Sequence, residues 1–317
     1  MSHSKETRGV GNFFYKLYLS YIPNGRDNLK QIIIKVFFLI SLITLIISAS
    51  YLTNYFLSAK KQEGIIEDTR YVWHAAQEEI KPAASEEDLP SAIKLMLEEN
   101  SDFKGWITVP NTKIDNPIYQ TTDNDFYLNH NQKKQKSVYG ALFFDCDNVI
   151  TEEKTDKNLV IYGHHMKNGS MFANLTKYKS LSFYKANPTI EFSTLYKKST
   201  YKIFSVFVLN ASKADDNDYI YNISRKNFLN DADFDSWADE AFERSLINTG
   251  VDVKNGDNII TLVTCVYDFN DARLVVMARE TRENETAEVD TSSATANPSP
   301  RYPKRWYDDR GIDFPFD

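Results

Sequence analysis

Cys265 closes the apolar, β-branched run Thr261-Leu262-Val263-Thr264-Cys265, and Arg273 opens the next such run, Ala272-Arg273-Leu274-Val275-Val276, eight residues later. Adjacent strands built in this way carry a thiol and a guanidinium at neighbouring ends. About a hundred residues upstream, Leu159-Val160-Ile161-Tyr162-Gly163-His164-His165-Met166 is a third strand-like run that ends in imidazoles. A thiol becomes a nucleophile as its thiolate, which needs a base or a cation nearby. His164 or His165 can carry the proton. Arg273 stays charged and its fixed N–H donors can steady a developing oxyanion. Together these groups can perform acyl transfer. Singly, each has a plain structural reading: a buried strand-end cysteine, a Gly-His-His turn, a solvated arginine.

The elements that must position them follow from the pattern of the rest. Gly105–Pro110 and Ile114–Tyr119, joined by a turn at Asn111-Thr112, read as paired strands. Further strands are expected at Gly140–Phe144, Leu159–Tyr162, Thr189–Ser193, Thr200–Leu209, Asn258–Thr264 and Arg273–Arg279. This is mostly β structure, and the spacing favours a closed or nearly closed barrel over a βαβ sheet. Ser170–Leu175 and Phe228–Ile247 interrupt it as helices; Phe228, Leu229, Phe234, Trp237, Ala241, Phe242 and Leu246 form a helical stripe suited to core packing. Upstream, Glu63–Ile80 and Asp88–Asn100 read as helices, the second with a start signal at Ser85 through Asp88.

The N-terminal part has a different character. No charged residue occurs from Val36 to Ala59, and about 20 such residues span a bilayer. Tyr51, Tyr55 and Phe56 suit a membrane interface better than a signal-peptide cleavage junction, so an uncleaved anchor is expected. Lys5, Arg8, Lys16, Arg26, Lys30 and Lys35 precede the span, and Lys60, Lys61 and Arg70 follow it, which favours a cytoplasmic N-terminus and an extracellular bulk. The expected organisation is a cytoplasmic tail over 1–30, a single-pass anchor over 31–59, helices over 60–100, the β domain over 101–282 and a disordered tail over 283–317. Thr281–Pro300 is polar and without apolar period; the aromatic end, Arg301 to Asp317, could equally dock.

Composition removes other classes. A formal net charge of −7 over 317 residues, with no dense basic run beyond the first 35, argues against nucleic acid as a partner. Two cysteines make no disulfide framework, and a Cys146–Cys265 bridge would consume the thiol in the more reactive setting. No Cys/His spacing resembles a zinc site, and neither metal nor cofactor is called for.

Taken together, Thr261-Leu262-Val263-Thr264-Cys265, the arginine downstream and the strand-end histidine resemble the sortases, cysteine transpeptidases of bacterial surfaces. The finer match is to class B, through Gly105-Trp106-Ile107 with Ile114-Asp115-Asn116-Pro117, Asp123 to His130, Tyr162 to Met166, and the long helix before the cysteine strand. The resemblance covers residues 65–280 and implies an eight-stranded sortase-type β-barrel. It makes Cys265 the nucleophile, His164 the acid/base and Arg273 the stabiliser of the bound motif and the tetrahedral intermediate. His165 becomes a hydrogen-bonding neighbour without a defined role. Asn124, Leu128, Tyr162, Tyr219 and Ile220 would line the substrate groove, the last two following the acidic segment Asp215–Asp218. Partners implied are surface proteins or pilins with a C-terminal sorting signal, and an amine from a cell-wall precursor or a pilin lysine, at a Gram-positive-type cell membrane. The competing readings are a cysteine peptidase that only hydrolyses and a non-enzymatic surface-binding β-domain. The chain departs from the family pattern at Val263, where many members have serine, and at Val266, where some class B members have an acid.

Overall fold

The computed structural model describes residues 15–77, 91–151, 153–212 and 219–316. The chain divides into two compact units, residues 1–63 and 64–317. Helix α1 (Leu29–Gln77) is continuous for 49 residues. It carries the apolar stretch without a break into the segment expected as a separate spacer helix, because the intervening Lys60, Lys61, Gln62 and Glu63 are strong helix formers. By length and composition it could cross a membrane: its most apolar window has a mean hydropathy of 2.7 and is only 6% buried. From Ile65 onward the same helix presents an apolar face, with Ile66 and Trp73 buried in the second unit. Helix α2 (Ser91–Glu99) follows; its expected start signal at Ser85 to Asp88 lies outside the described residues.

Ten strands come next in chain order: β1 (Phe103–Thr108), β2 (Asp115–Tyr119), β3 (Leu142–Phe144), β4 (Asn158–Tyr162), β5 (Thr189–Thr194), β6 (Lys198–Asn210), β7 (Ile247–Asn248), β8 (Ile259–Cys265), β9 (Ala272–Glu280) and β10 (Thr295–Ala296). Eight of them close a barrel in the order β1-β2-β3-β4-β8-β9-β6-β5, as expected from the sequence. A short helix α3 (Phe126–Asn129) joins β2 to β3. The expected helix at Ser170–Leu175 is a 3₁₀ helix over Phe172–Lys179, followed by α4 (Leu181–Ala186).

Period 2 sorts the strand residues between two cores. Ile260 and Leu262 of β8, Leu274 and Val276 of β9, and Val206 and Val208 of β6 fill the barrel interior. Ile259, Val275, Met277, Phe204, Phe207 and Leu209 point outward and are covered by α5 (Asp231–Arg244) through Phe234, Trp237 and Ala241. Helix α5 starts where the Asn230 side chain accepts from the Asp233 amide at 3.0 Å. Asp231 and Asp233 lie in its first turn and Arg244 in its last, matching the helix dipole.

The expectation of a disordered tail over 283–317 is corrected by the structure. β10 pairs antiparallel with β7, Ala294 is buried in the barrel-interior core, and the Asn297 side chain donates to the Ser245 carbonyl at 2.8 Å. Arg301 pairs with Glu243 at 3.2 Å, and Tyr302 stacks on Trp306, 4.1 Å between ring centres, where both pack on that core. A short helix α6 (Lys304–Asp308) carries Trp306 and Tyr307. The polar composition hid this because the tail docks by isolated side chains and backbone pairing, with no periodic apolar face. Its burial is nonetheless real: Ala294 is 1% exposed.

Candidate active site

The geometry of three strand ends defines the site. β8 and β9 pair antiparallel with Cys265 opposite Arg273. Just beyond, the Val266 amide donates to the Ala272 carbonyl at 3.0 Å, which makes that pair hydrogen-bonded. Cys265 and Arg273 are therefore a non-hydrogen-bonded pair, the kind with Cα atoms about 4.5 Å apart and side chains close together. Both follow the outward parity of Val275 and Met277, so the thiol and guanidinium sit on the outer face of the barrel, half-buried.

β4 lies on the other side of β8, parallel to it, with Tyr162 opposite Val263. Continuing that register by two residues brings residue 164 level with residue 265. The sheet ladder reaches one residue beyond Tyr162: the Gly163 amide donates to the Val263 carbonyl at 3.1 Å, and the Thr264 hydroxyl donates to the Gly163 carbonyl at 2.8 Å. The chain then leaves the sheet. His164 Nε2 lies 2.7 Å from the Leu128 carbonyl at the end of α3. A carbonyl only accepts, so Nε2 carries the hydrogen and the neutral ring keeps its lone pair on Nδ1. His165 turns the other way, its Nδ1 2.9 Å from the Cys265 carbonyl. Cys265 and Arg273 are thus cross-strand neighbours, and His164 follows two residues after the end of β4, the strand on the other side of β8.

The residues expected to line the groove divide into two groups. Asn124, Leu128 and Tyr162 belong to the side of the site formed by β4 and α3. The Asn124 amide is itself engaged, accepting from the Cys146 backbone at 2.8 Å and donating to Asp145 at 3.2 Å. Asp145 also accepts from the Tyr162 hydroxyl at 3.0 Å. Burial, then the Asp145 charge, pushes that phenol well above its ordinary range, so it acts only as a neutral donor. Leu128 contributes its backbone carbonyl to His164. Tyr219 and Ile220 are placed by a different element, α5: the Tyr219 hydroxyl donates to Glu240 at 2.6 Å, and Ile220 packs on the outer core. The acidic residues Asp215–Asp218 before them lie outside the described residues.

Two residues that hold the site were not singled out in the sequence. Asp145 ties Asn124 to Tyr162, and its only signal was its place at a strand end. Gly140 sits with φ +59° under the α3 carbonyls and the His164 ring, where a side chain has no room. Val266 faces the barrel core rather than the groove, and Asp268 is held by Lys179 at 2.5 Å. Both cysteines are free. Burial and the charges of Asp145 and Asp147 push the Cys146 thiol up, toward its protonated form.

The comparisons with known proteins agree with this architecture. The sortase domain family matches residues 107–281. Sortase B of Listeria monocytogenes serovar 1/2a is 37% identical over 182 residues, covering 57% of this chain and 70% of that relative. The X-ray structure of Clostridium perfringens sortase B superimposes with a TM-score of 0.53 at 39% identity, covering 60% of this chain and 100% of that one. A Staphylococcus aureus sortase B–substrate complex gives a TM-score of 0.61 at 28% identity, covering 71% and 98%. With its eight-stranded barrel and these relatives, the chain belongs to the sortase family and, within it, to the class B sortases.

Proposed function

We propose that this protein is a membrane-anchored cysteine transpeptidase in which Cys265, His164 and Arg273 carry out the chemistry. The observation that supports this most directly is the pairing of Cys265 with Arg273, on the strand beside the one that delivers His164. The Cys265 thiolate attacks the backbone carbonyl of a threonine in a C-terminal sorting signal. The Arg273 guanidinium stabilises the oxyanion that forms. His164, having taken the thiol proton at Nδ1, gives it to the departing amine as the C–N bond breaks, leaving a thioacyl-enzyme and a released peptide. An incoming amine then attacks the thioester and His164 takes up its proton, so the new amide forms as the thiolate leaves. The hydrogen bond from Nε2 to the Leu128 carbonyl leaves Nδ1 of the ring for this traffic.

The amine comes from a cell-wall precursor or from a lysine of a pilin subunit. Asn124, Leu128 and Tyr162 form one wall of the sorting-signal groove, with Tyr219 and Ile220 on the α5 side. The apolar part of α1 serves as a single-pass anchor with the basic N-terminus in the cytoplasm and the barrel at the cell surface.

The test combines the full chain, in detergent, with a pentapeptide library and an amine acceptor, followed by mass spectrometry. The wild type should form a thioester adduct on Cys265 and an amide product. Cys265→Ala should keep its circular dichroism spectrum and form neither. Turnover by that variant would refute the assignment, and acid products without amide would reduce the activity to hydrolysis.

A further inference from the structure

His165 is used by none of the steps above, yet it is bonded to the nucleophile's own peptide group. Gly163 makes the last regular rung between β4 and β8, donating to the Val263 carbonyl. In a parallel ladder the next rung on that strand comes two residues later, from the residue 165 amide to the Cys265 carbonyl. The backbone has turned away by then. Residue 165 forms an antiparallel bridge with Met171, and the Phe172 amide donates to the His164 carbonyl at 2.9 Å. The His165 side chain takes the place of the rung, with Nδ1 2.9 Å from the Cys265 carbonyl. β9 offers no substitute: in a non-hydrogen-bonded pair, the peptide groups of Cys265 point away from Arg273, toward β4. The Tyr267 ring, 5.3 Å away centre to centre and 74% exposed, flanks the same imidazole.

We infer that His165 is a positioning residue for Cys265. Its Nδ1–H replaces the missing rung, holds the last peptide of β8 in register, and so keeps the thiol opposite Arg273. This arrangement lets the backbone leave the sheet at His164, which carries that imidazole to the Leu128 carbonyl, without loosening the strand beside it. The inference rests on the reading of Cys265 as the nucleophile.

Substitutions that differ in where they place a donor test it. Asparagine puts an N–H at the same δ position as the imidazole Nδ1, glutamine puts it one bond too far, and phenylalanine keeps a ring with no donor. Full-length chains in detergent are treated with iodoacetamide across a pH series, and alkylation of Cys265 and Cys146 is followed by peptide mass spectrometry, with Tm measured alongside. His165→Asn should alkylate at Cys265 within about twofold of wild type and with the same pH midpoint, by the positioning argument above. His165→Gln and His165→Phe should slow it at least about tenfold and move the midpoint upward, with Cys146 unchanged. Wild-type rates at Cys265 in both overturn the inference. So does an asparagine variant as slow as phenylalanine, because the ring and not the δ donor would then matter. If His165→Phe fails to fold, the contrast of asparagine with glutamine decides alone. A wild-type Cys265 that alkylates no faster than Cys146 is a different failure: it removes the nucleophile assignment, and this inference with it.

Discussion

Replacing Gly140 by alanine tests whether the α3 carbonyls set the candidate acid/base. Gly140 has φ +59°, a left-handed conformation that a side chain opposes by about 1 kcal/mol or more. A Cβ there would sit 2.3 Å from the Tyr127 carbonyl oxygen, 3.1 Å from that of Leu128 and 3.2 Å from His164 Cδ2. The first contact is with backbone, so it is relieved only by moving α3 roughly an ångström; overpacking of this kind costs about 1–3 kcal/mol. The sum, about 3 kcal/mol, corresponds to a Tm loss of about 6–12 °C in a domain of this size. The same movement stretches the 2.7 Å bond between His164 and the Leu128 carbonyl past hydrogen-bonding distance, and misplacement on that scale lowers a rate about a hundredfold. Gly311 supplies the control, with φ +63° and nothing within 4 Å of an added Cβ. Gly311→Ala should therefore lose only the backbone contribution, about 1 kcal/mol, and keep its acylation rate. Thermal unfolding and acyl-enzyme formation are measured on both variants. Equal Tm losses, with equal rates, would show that the α3 carbonyls neither resist the methyl group nor steer His164.

Deleting residues 287–317 removes the β10–β7 pair, buried Ala294 and the stacked Tyr302 and Trp306, and should cost about 2–4 kcal/mol from the lost apolar burial. Thermal melts and dye binding to the uncovered core measure this; an unchanged Tm would mean the tail only rests on the barrel. Glu285 accepts from Arg279 and Lys202, and these bonds, Arg279 foremost, hold its carboxyl well below the usual carboxylate range. A depressed folded-state pKa gives stability that is complete above the unfolded value of about 4.3 and is lost as pH falls below it. The Tm gap between wild type and Glu285→Gln should accordingly be widest near neutrality and shrink as pH falls from about 4.5 to 3. A gap that widens on acidification would contradict the assigned ion pairs.

Much of the barrel could be read from the residues alone, but for different reasons in different strands. β1 and β2 declared themselves by a turn between two short apolar runs. β8 and β9 are apolar on both faces, since α5 covers what would otherwise be the wet side, and only their β-branched composition separates them from buried helix. Cys265, His164 and Arg273 were found as strand ends and then by resemblance. Which strands lie side by side was not legible, because the register that sets β4 against β8 joins segments 101 positions apart. His165 and Asp145 act through hydrogen bonds set by how the chain leaves the sheet, and no spacing encodes that. The tail escaped for the opposite reason: local composition resembled a disordered segment, and only the tertiary partners Ser245, Glu243 and the barrel end make it ordered.

The parallel seam between β4 and β8 also makes reactivity a late property of the molecule. A half-built chain holds the two strands on separate stretches, with a long loop to close before they pair. β8 must slot between β4 and β9 to complete the ring of strands, so maturation and arming coincide. On the proposed roles, a gain in Cys265 reactivity during refolding therefore serves as a stopwatch for barrel completion.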